Sequence, residues 1–148
     1  YYTCASGTHI SQSDSDSMVR CMSAALNEAA MNSDEIDYIS AHATATLHGD
    51  VKEVEAIREV FGGDTPVSSL KGNLAHTLGA SGAIELIASL KMMEQGVLYP
   101  THNLTEIDPA CAGVDHLMTA RETPINAFLK NSFAFGGINA ALVCHKVV

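Results

Sequence analysis

The stretch SSLKGNLAHTLGASGAIELIASLKMM (68–93) sets Lys71 and His76 five residues apart in a Gly- and Ala-rich turn, directly ahead of an almost wholly apolar run. Its periodicity predicts a helix from about Gly79 to Glu94, with Gly96 and Pro100 breaking the pattern beyond it. A helix this apolar reads as the most buried element of the chain. A lysine and an imidazole at its mouth therefore need a reason, because a buried charge must be paired or used. Gly79, Ala80, Ser81 and Gly82 are small enough to let a backbone or a ligand approach the helix N-terminus, where negative charge is favoured. A phosphate-binding loop is the rival reading, but the Walker spacing is absent and histidine is a poor choice for cradling phosphate.

Outward from this turn, PVSSL (66–70) reads as a short strand. Before it, Val51, Val54, Ile57 and Phe61 share one face of a helix that begins near Gly49-Asp50 and closes at Gly62-Gly63. IDYISAH (36–42) reads as a short buried strand carrying His42 at its end. Met18, Met22, Ala25, Leu26 and Ala29 mark an amphipathic helix that SQSDSDS (11–17) can cap and Asn32-Ser33-Asp34 ends. The opening YYTC (1–4) is β-prone, and with no initiator Met the chain is expected to be a truncated or released domain. After the central helix come a polar loop to about Thr123, the strand AFLKNSF (127–133), a turn at Phe135-Gly136-Gly137 and the apolar strand AALVCHKVV (140–148). This order of elements argues an α/β layer with a mixed sheet.

Composition narrows the function classes. At 148 residues and 47% hydrophobic content the chain can bury a core, and its formal charge of −9 with only eight Lys and Arg offers no footprint for nucleic acid or an anionic membrane. No stretch reaches the roughly 20 apolar residues of a membrane span, and the first residues lack the basic and apolar regions of a secretory signal. A cytoplasmic protein is expected. Cys4, Cys21, Cys111 and Cys144 lie far apart without a CxxC pair, so their spacing implies neither a metal site nor a disulfide framework.

Three stretches place polar groups at strand ends or turns, where the sites of α/β folds gather. HATAT (42–46) follows a buried strand, with Thr44 and Thr46 to one side if the chain stays extended. KGNLAHTLGASG (71–82) is the second, and NSFAFGGINAA (131–141) the third. Each has a plain structural reading: a hydrogen-bonded strand-end histidine, a helix-entry turn, a hairpin at Gly136-Gly137.

Together, in this order and spacing, the three stretches resemble the C-terminal half of β-ketoacyl-acyl-carrier-protein synthases, the decarboxylating condensing enzymes of the thiolase-like superfamily. The family's motifs read HGTxT, a lysine and histidine running into LGAAG or LGASG, and NSFGFGGTN. Here they stand as His42 to Thr46, Lys71 to Gly82 and Asn131 to Asn139, and GDVKEVEAIREVFG (49–62) looks especially like the elongating bacterial type II synthases. Thiolases carry a second catalytic cysteine near their final glycines, and NSFAFGGINAA has none. The resemblance implies a thiolase-like fold, with residues 1–148 as its C-terminal half-domain and a mostly five-stranded mixed sheet packed by helices.

It also implies a chemistry. A decarboxylating condensation develops negative charge on a thioester oxygen and needs donors aimed at it in a dry site. By resemblance, His42 and His76 polarise the malonyl thioester, and Lys71 supports the His76 loop with Glu85 as its expected counter-charge. Thr44 and Thr46 match hydroxyls that contact pantetheine. Phe135 matches a gating phenylalanine whose backbone N–H joins the oxyanion hole. These groups are expected to converge at one sheet edge. The implied partner is acyl carrier protein, which carries the substrates on its phosphopantetheine, with no resident cofactor and no metal, in a homodimeric enzyme of fatty acid, polyketide or polyene synthesis. The nucleophilic cysteine belongs to the family's N-terminal half, so this chain alone is expected to be inactive. A catalytically silent partner resembling the chain-length factors is the alternative. The family's glycines are replaced by alanine at Ala43, Ala75 and Ala134, and its threonine by Ile138; each added methyl is expected to restrict the backbone or narrow a close approach.

Overall fold

The structure, a computed structural model, describes residues 2–4 and 14–147. After strand β1 (Tyr2–Cys4), helix α1 (Ser15–Ala29) starts at Asp14, whose carboxylate accepts from the Asp16 N–H at 3.2 Å. Its stripe Met18, Cys21, Met22, Ala25 and Leu26 is buried, and Ala30 ends it in the left-handed conformation, earlier than the polar run at Asn32 that was expected to do so. Strand β2 (Tyr38–Ser40), helix α2 (Gly49–Phe61) and strand β3 (Pro66–Ser68) follow. The quoted stretch then forms a one-turn helix α3 (Lys71–Leu74), a 3-10 turn (Leu78–Ala80) and helix α4 (Ser81–Gln95), which Gly96 closes at φ 67. The expected polar loop contains three two-residue strands, β4 (Val97–Leu98), β5 (Asp115–His116) and β6 (Arg121–Glu122); runs so short leave no periodicity in a sequence. Strand β7 (Ala127–Ala134) and strand β8 (Ile138–His145) flank a turn in which Gly136 sits at φ 77.

The main sheet runs β1-β8-β7-β2-β3-β5, while β4 and β6 pair separately. Five strands make its body and the two-residue β5 extends one edge. β7, β2, β3 and β5 are mutually parallel, whereas β8 is antiparallel to both β7 and β1, so the sheet is mixed. Alternation sends Ile39 and Leu129 into a core with α1 and α2, and Tyr38 and Phe128 into a second core with Met92 and Met93 of α4. The result is helix, sheet, helix. Because β2, β3 and β7 are parallel, their C-terminal ends share one edge, and each ends just before a polar motif: His42, Lys71 and Phe135.

Helix α4 departs from the expectation of the most buried element. The face it turns inward carries Ser81, Glu85 and Ser89 before Met92 and Met93, while Ile84, Ile87 and Leu90 are exposed. The polar face is inside because two ammonium groups wait there.

Candidate active site

His42 leaves β2 and His76 leaves α3, and their rings meet edge to face with centroids 5.3 Å apart and an interplanar angle of 87°. Phe133 stands behind His42, also edge-on, at 6.3 Å. His42 Nδ1 is buried without a hydrogen-bond partner among the described residues. Burial, followed by the charges of Lys71 and Lys130 and the neighbouring His76, pushes the His42 pKa down to about 3, against a smaller opposing pull from Glu85. The ring is therefore neutral at physiological pH.

Beneath the pair lies a buried ion cluster. Glu85, 1% exposed, takes Lys71 Nζ on Oε1 at 2.6 Å and Lys130 Nζ on Oε2 at 2.7 Å. Lys130 Nζ also donates to the Asn131 carbonyl at 2.6 Å and to Ser132 Oγ at 2.7 Å. Ser81 Oγ donates to Glu85 Oε1 at 2.9 Å, and Ser89 Oγ to the Glu85 carbonyl at 2.9 Å. Burial alone would raise the Glu85 carboxyl, but Lys130 and Lys71 outweigh it and hold the group below the usual carboxylate range. Burial lowers the Lys130 ammonium, with Glu85 opposing. Two cations against one anion leave a net positive charge under the histidines. The expected Lys71–Glu85 contact is in place; the second lysine was not foreseen.

A second buried carboxylate, also unforeseen, holds the His42 turn. Glu53 of α2 accepts the His42 N–H at 2.8 Å, the Ala43 N–H at 2.7 Å and Asn131 Nδ2 at 3.1 Å. Burial raises its pKa against the lowering effect of these three donors. The clamp secures a backbone that alanine resists: Ala43 has φ 22 and Ala45 φ 63. On the His76 side, Ala75 has φ 59 with ψ 174, a region that only glycine enters freely. Ala134, the third alanine expected to be constrained, is ordinary extended backbone at φ −110. At Ala134 the added methyl therefore costs no left-handed backbone, because the strand continues through it.

A cavity of about 800 Å³ opens over the pair, lined by His42, His76, Thr44, Thr46, Ser132 and Phe135 among others. Phe135 is 79% exposed at its mouth, and Thr44 Oγ1 lies 3.4 Å from Thr46 Oγ1 along one wall. A second cavity of about 460 Å³ lies toward α2 and includes His76, Lys71 and Cys111. Burial raises the Cys111 thiol, the opposite of nucleophile activation. Among the described residues, no group of three or more His, Cys, Asp or Glu side chains is placed to hold a metal, and no helix is long and apolar enough to cross a membrane.

The sheet edge thus carries the edge-to-face His42–His76 pair above the buried cluster of Lys71, Glu85 and Lys130. The chain belongs to the β-ketoacyl synthase family: residues 2–105 match the family model "Beta-ketoacyl synthase, C-terminal domain". It is 38% identical over 148 residues to 3-oxoacyl-[acyl-carrier-protein] synthase 1 of Escherichia coli K12, covering 99% of this chain and 36% of that one. A β-ketoacyl synthase from Burkholderia phymatum superposes with a TM-score of 0.95 at 41% identity, over 99% of this chain and 36% of the other. A type II PKS ketosynthase, solved with its acyl-carrier protein and bound to the hexaketide, gives 0.92 at 32% identity, over 99% and 37%. The chain thus spans about a third of the length of these relatives, and its fold is that of the C-terminal part of a ketosynthase.

Proposed function

We propose that this chain is the C-terminal part of a decarboxylating condensing enzyme that elongates an acyl chain with malonyl-acyl carrier protein, in fatty acid, polyketide or polyene synthesis. The observation that carries the reading is the His42–His76 pair, edge to face at 5.3 Å at the floor of the cavity. The two imidazoles can present N–H groups to one thioester oxygen; as carbon dioxide leaves, the enolate charge gathers on that oxygen and the donors stabilise it. The net positive charge of Lys71, Lys130 and Glu85 acts in the same direction at longer range. Thr44 and Thr46 offer hydroxyls to the pantetheine arm, and Phe135 gates the mouth while its backbone N–H contributes to the oxyanion hole. The acyl-accepting cysteine comes from a part of the protein outside these residues, and the isolated chain is inactive.

The partner is acyl carrier protein, whose phosphopantetheine bears both substrates, and no resident cofactor is needed. The relative named for its action on acyl-carrier-protein substrates and the ketosynthase solved with its carrier support this assignment. A homodimeric, cytoplasmic enzyme completes the reading, on the family resemblance.

The test uses the intact protein. His42→Ala and His76→Ala are expected to abolish decarboxylation of the malonyl carrier while sparing acyl transfer to the cysteine, because transfer needs only the nucleophile and the oxyanion hole. Full decarboxylation by both variants would make the histidines structural and favour the silent chain-length-factor-like partner.

A further inference from the structure

Lys130 is 4% exposed and places its ammonium against three acceptors, Glu85 Oε2, the Asn131 carbonyl and Ser132 Oγ, all within 2.7 Å. Lys71 already satisfies the charge of Glu85 at 2.6 Å. One carboxylate needs one cation, so a second buried ammonium raises the desolvation cost without being required for neutrality. The Glu85 contact ties β7 to α4, and through Ser132 the ammonium reaches the wall of the larger cavity.

We propose that Lys130 is a positioning residue of the condensing site: it makes the buried cluster net positive beneath His42 and fixes Ser132 and the end of β7 at the cavity wall. The inference rests on the condensing reading and adds to it a residue that acts through others. The groups facing His42 are Lys71 of α3, Lys130 of β7, Glu85 of α4, His76 beyond α3, and Glu53 and Asp50 of α2. Glu53 accepts from the His42 backbone, and burial raises the pKa of both α2 carboxyls against the hydrogen bonds that lower them. With Lys130 present, two cations oppose Glu85; without it, the cluster is neutral and His42 loses a repelling charge.

The intact protein, with its histidines labelled with ¹⁵N, provides a readout that needs no activity. From a midpoint of about 3, His42 stays neutral down to about pH 4 in the wild type. In Lys130→Met and in Lys130→Gln, which keeps donors for Asn131 and Ser132, its midpoint rises by about one unit. Adding Glu85→Gln to Lys130→Gln leaves Lys71 as the one net charge and returns the midpoint toward the wild-type value. In parallel, kcat for malonyl-carrier decarboxylation falls about tenfold in Lys130→Gln with KM unchanged. A His42 midpoint unmoved in both single variants, or a double variant as displaced as the single, overturns the proposal. Should Lys130→Met fail to fold, Lys130→Gln and the double variant carry the same comparison. A wild-type protein without decarboxylase activity would sink the condensing reading instead, while the imidazole titration still decides the charge coupling.

Discussion

Ala43, Ala75 and Ala134 occupy positions where the family's motifs carry glycine, yet they differ in what the backbone asks of them. At Ala75, φ 59 and ψ 174 lie where a Cβ is resisted, and such strain costs of order 1–3 kcal/mol, partly offset by the smaller unfolded-state entropy of alanine. Ala75→Gly is therefore expected to stabilise the protein by about 1 kcal/mol, whereas Ala134→Gly, on extended backbone, destabilises it by about 0.5–1 kcal/mol. Opposite shifts in the thermal midpoint of the intact protein check this; equal shifts would refute it. At this scale the sequence was most readable. His42, Lys71 and His76 sit in short motifs whose spacing survives folding unchanged, and Glu85 lies on the helix that follows them. Lys130 and Glu53 were invisible because the contacts that matter, to Glu85 and to the His42 turn, form only when distant elements pack together. Lys130 meets Glu85 only once β7 lies beside β2, and Glu53 meets His42 only because α2 doubles back against the strand it left.

Among the elements, α4 shows where composition misleads. Its apolar residues fixed a helix correctly but not which face is inside, and the three polar residues that do turn inward are those that serve the ion cluster. The cluster links α3, α4 and β7 through one carboxylate, and this makes the consequences of substitution unequal. A lone Lys71–Glu85 pair would leave an uncompensated carboxylate in Lys71→Ala, at about 3–5 kcal/mol. With Lys130 still 2.7 Å from Oε2, that variant keeps a balanced pair and is expected to lose less, about 1–3 kcal/mol for the vacated contacts. Glu85→Ala leaves two buried ammonium groups facing each other and takes the larger loss. Thermal unfolding of the intact variants should rank Glu85→Ala below Lys71→Ala, and the reverse order would mean that Lys130 does not share the carboxylate.

For the molecule as a whole, the order of strands and helices was readable because each long element carries its own periodicity, while the pairing of distant strands does not. Exposed apolar residues include Ile84, Ile87 and Leu90 on the outer face of α4, and Leu47, Leu78, Phe135 and Ile138 around the site. Exposed apolar side chains that gather into a patch favour association in water. The 148-residue chain prepared alone is expected to self-associate as its concentration rises, read by light scattering on a sizing column. Monomeric behaviour throughout would indicate that α4 needs no covering partner.

The strand order also sets a timetable. β7 enters the sheet between β8 and β2, and its register joins Tyr38 to Phe128 across ninety positions of chain. While a ribosome is still making residues 100–126, His42, His76, Lys71 and Glu85 have all been synthesised, yet β2 has a bare edge, Glu85 lacks Lys130, and Glu53 lacks Asn131. Contacts so distant in sequence form slowly and late. The histidine pair is thus written early and assembled last, and a nascent chain released before Ala127 would carry every motif histidine without the strand that seats them.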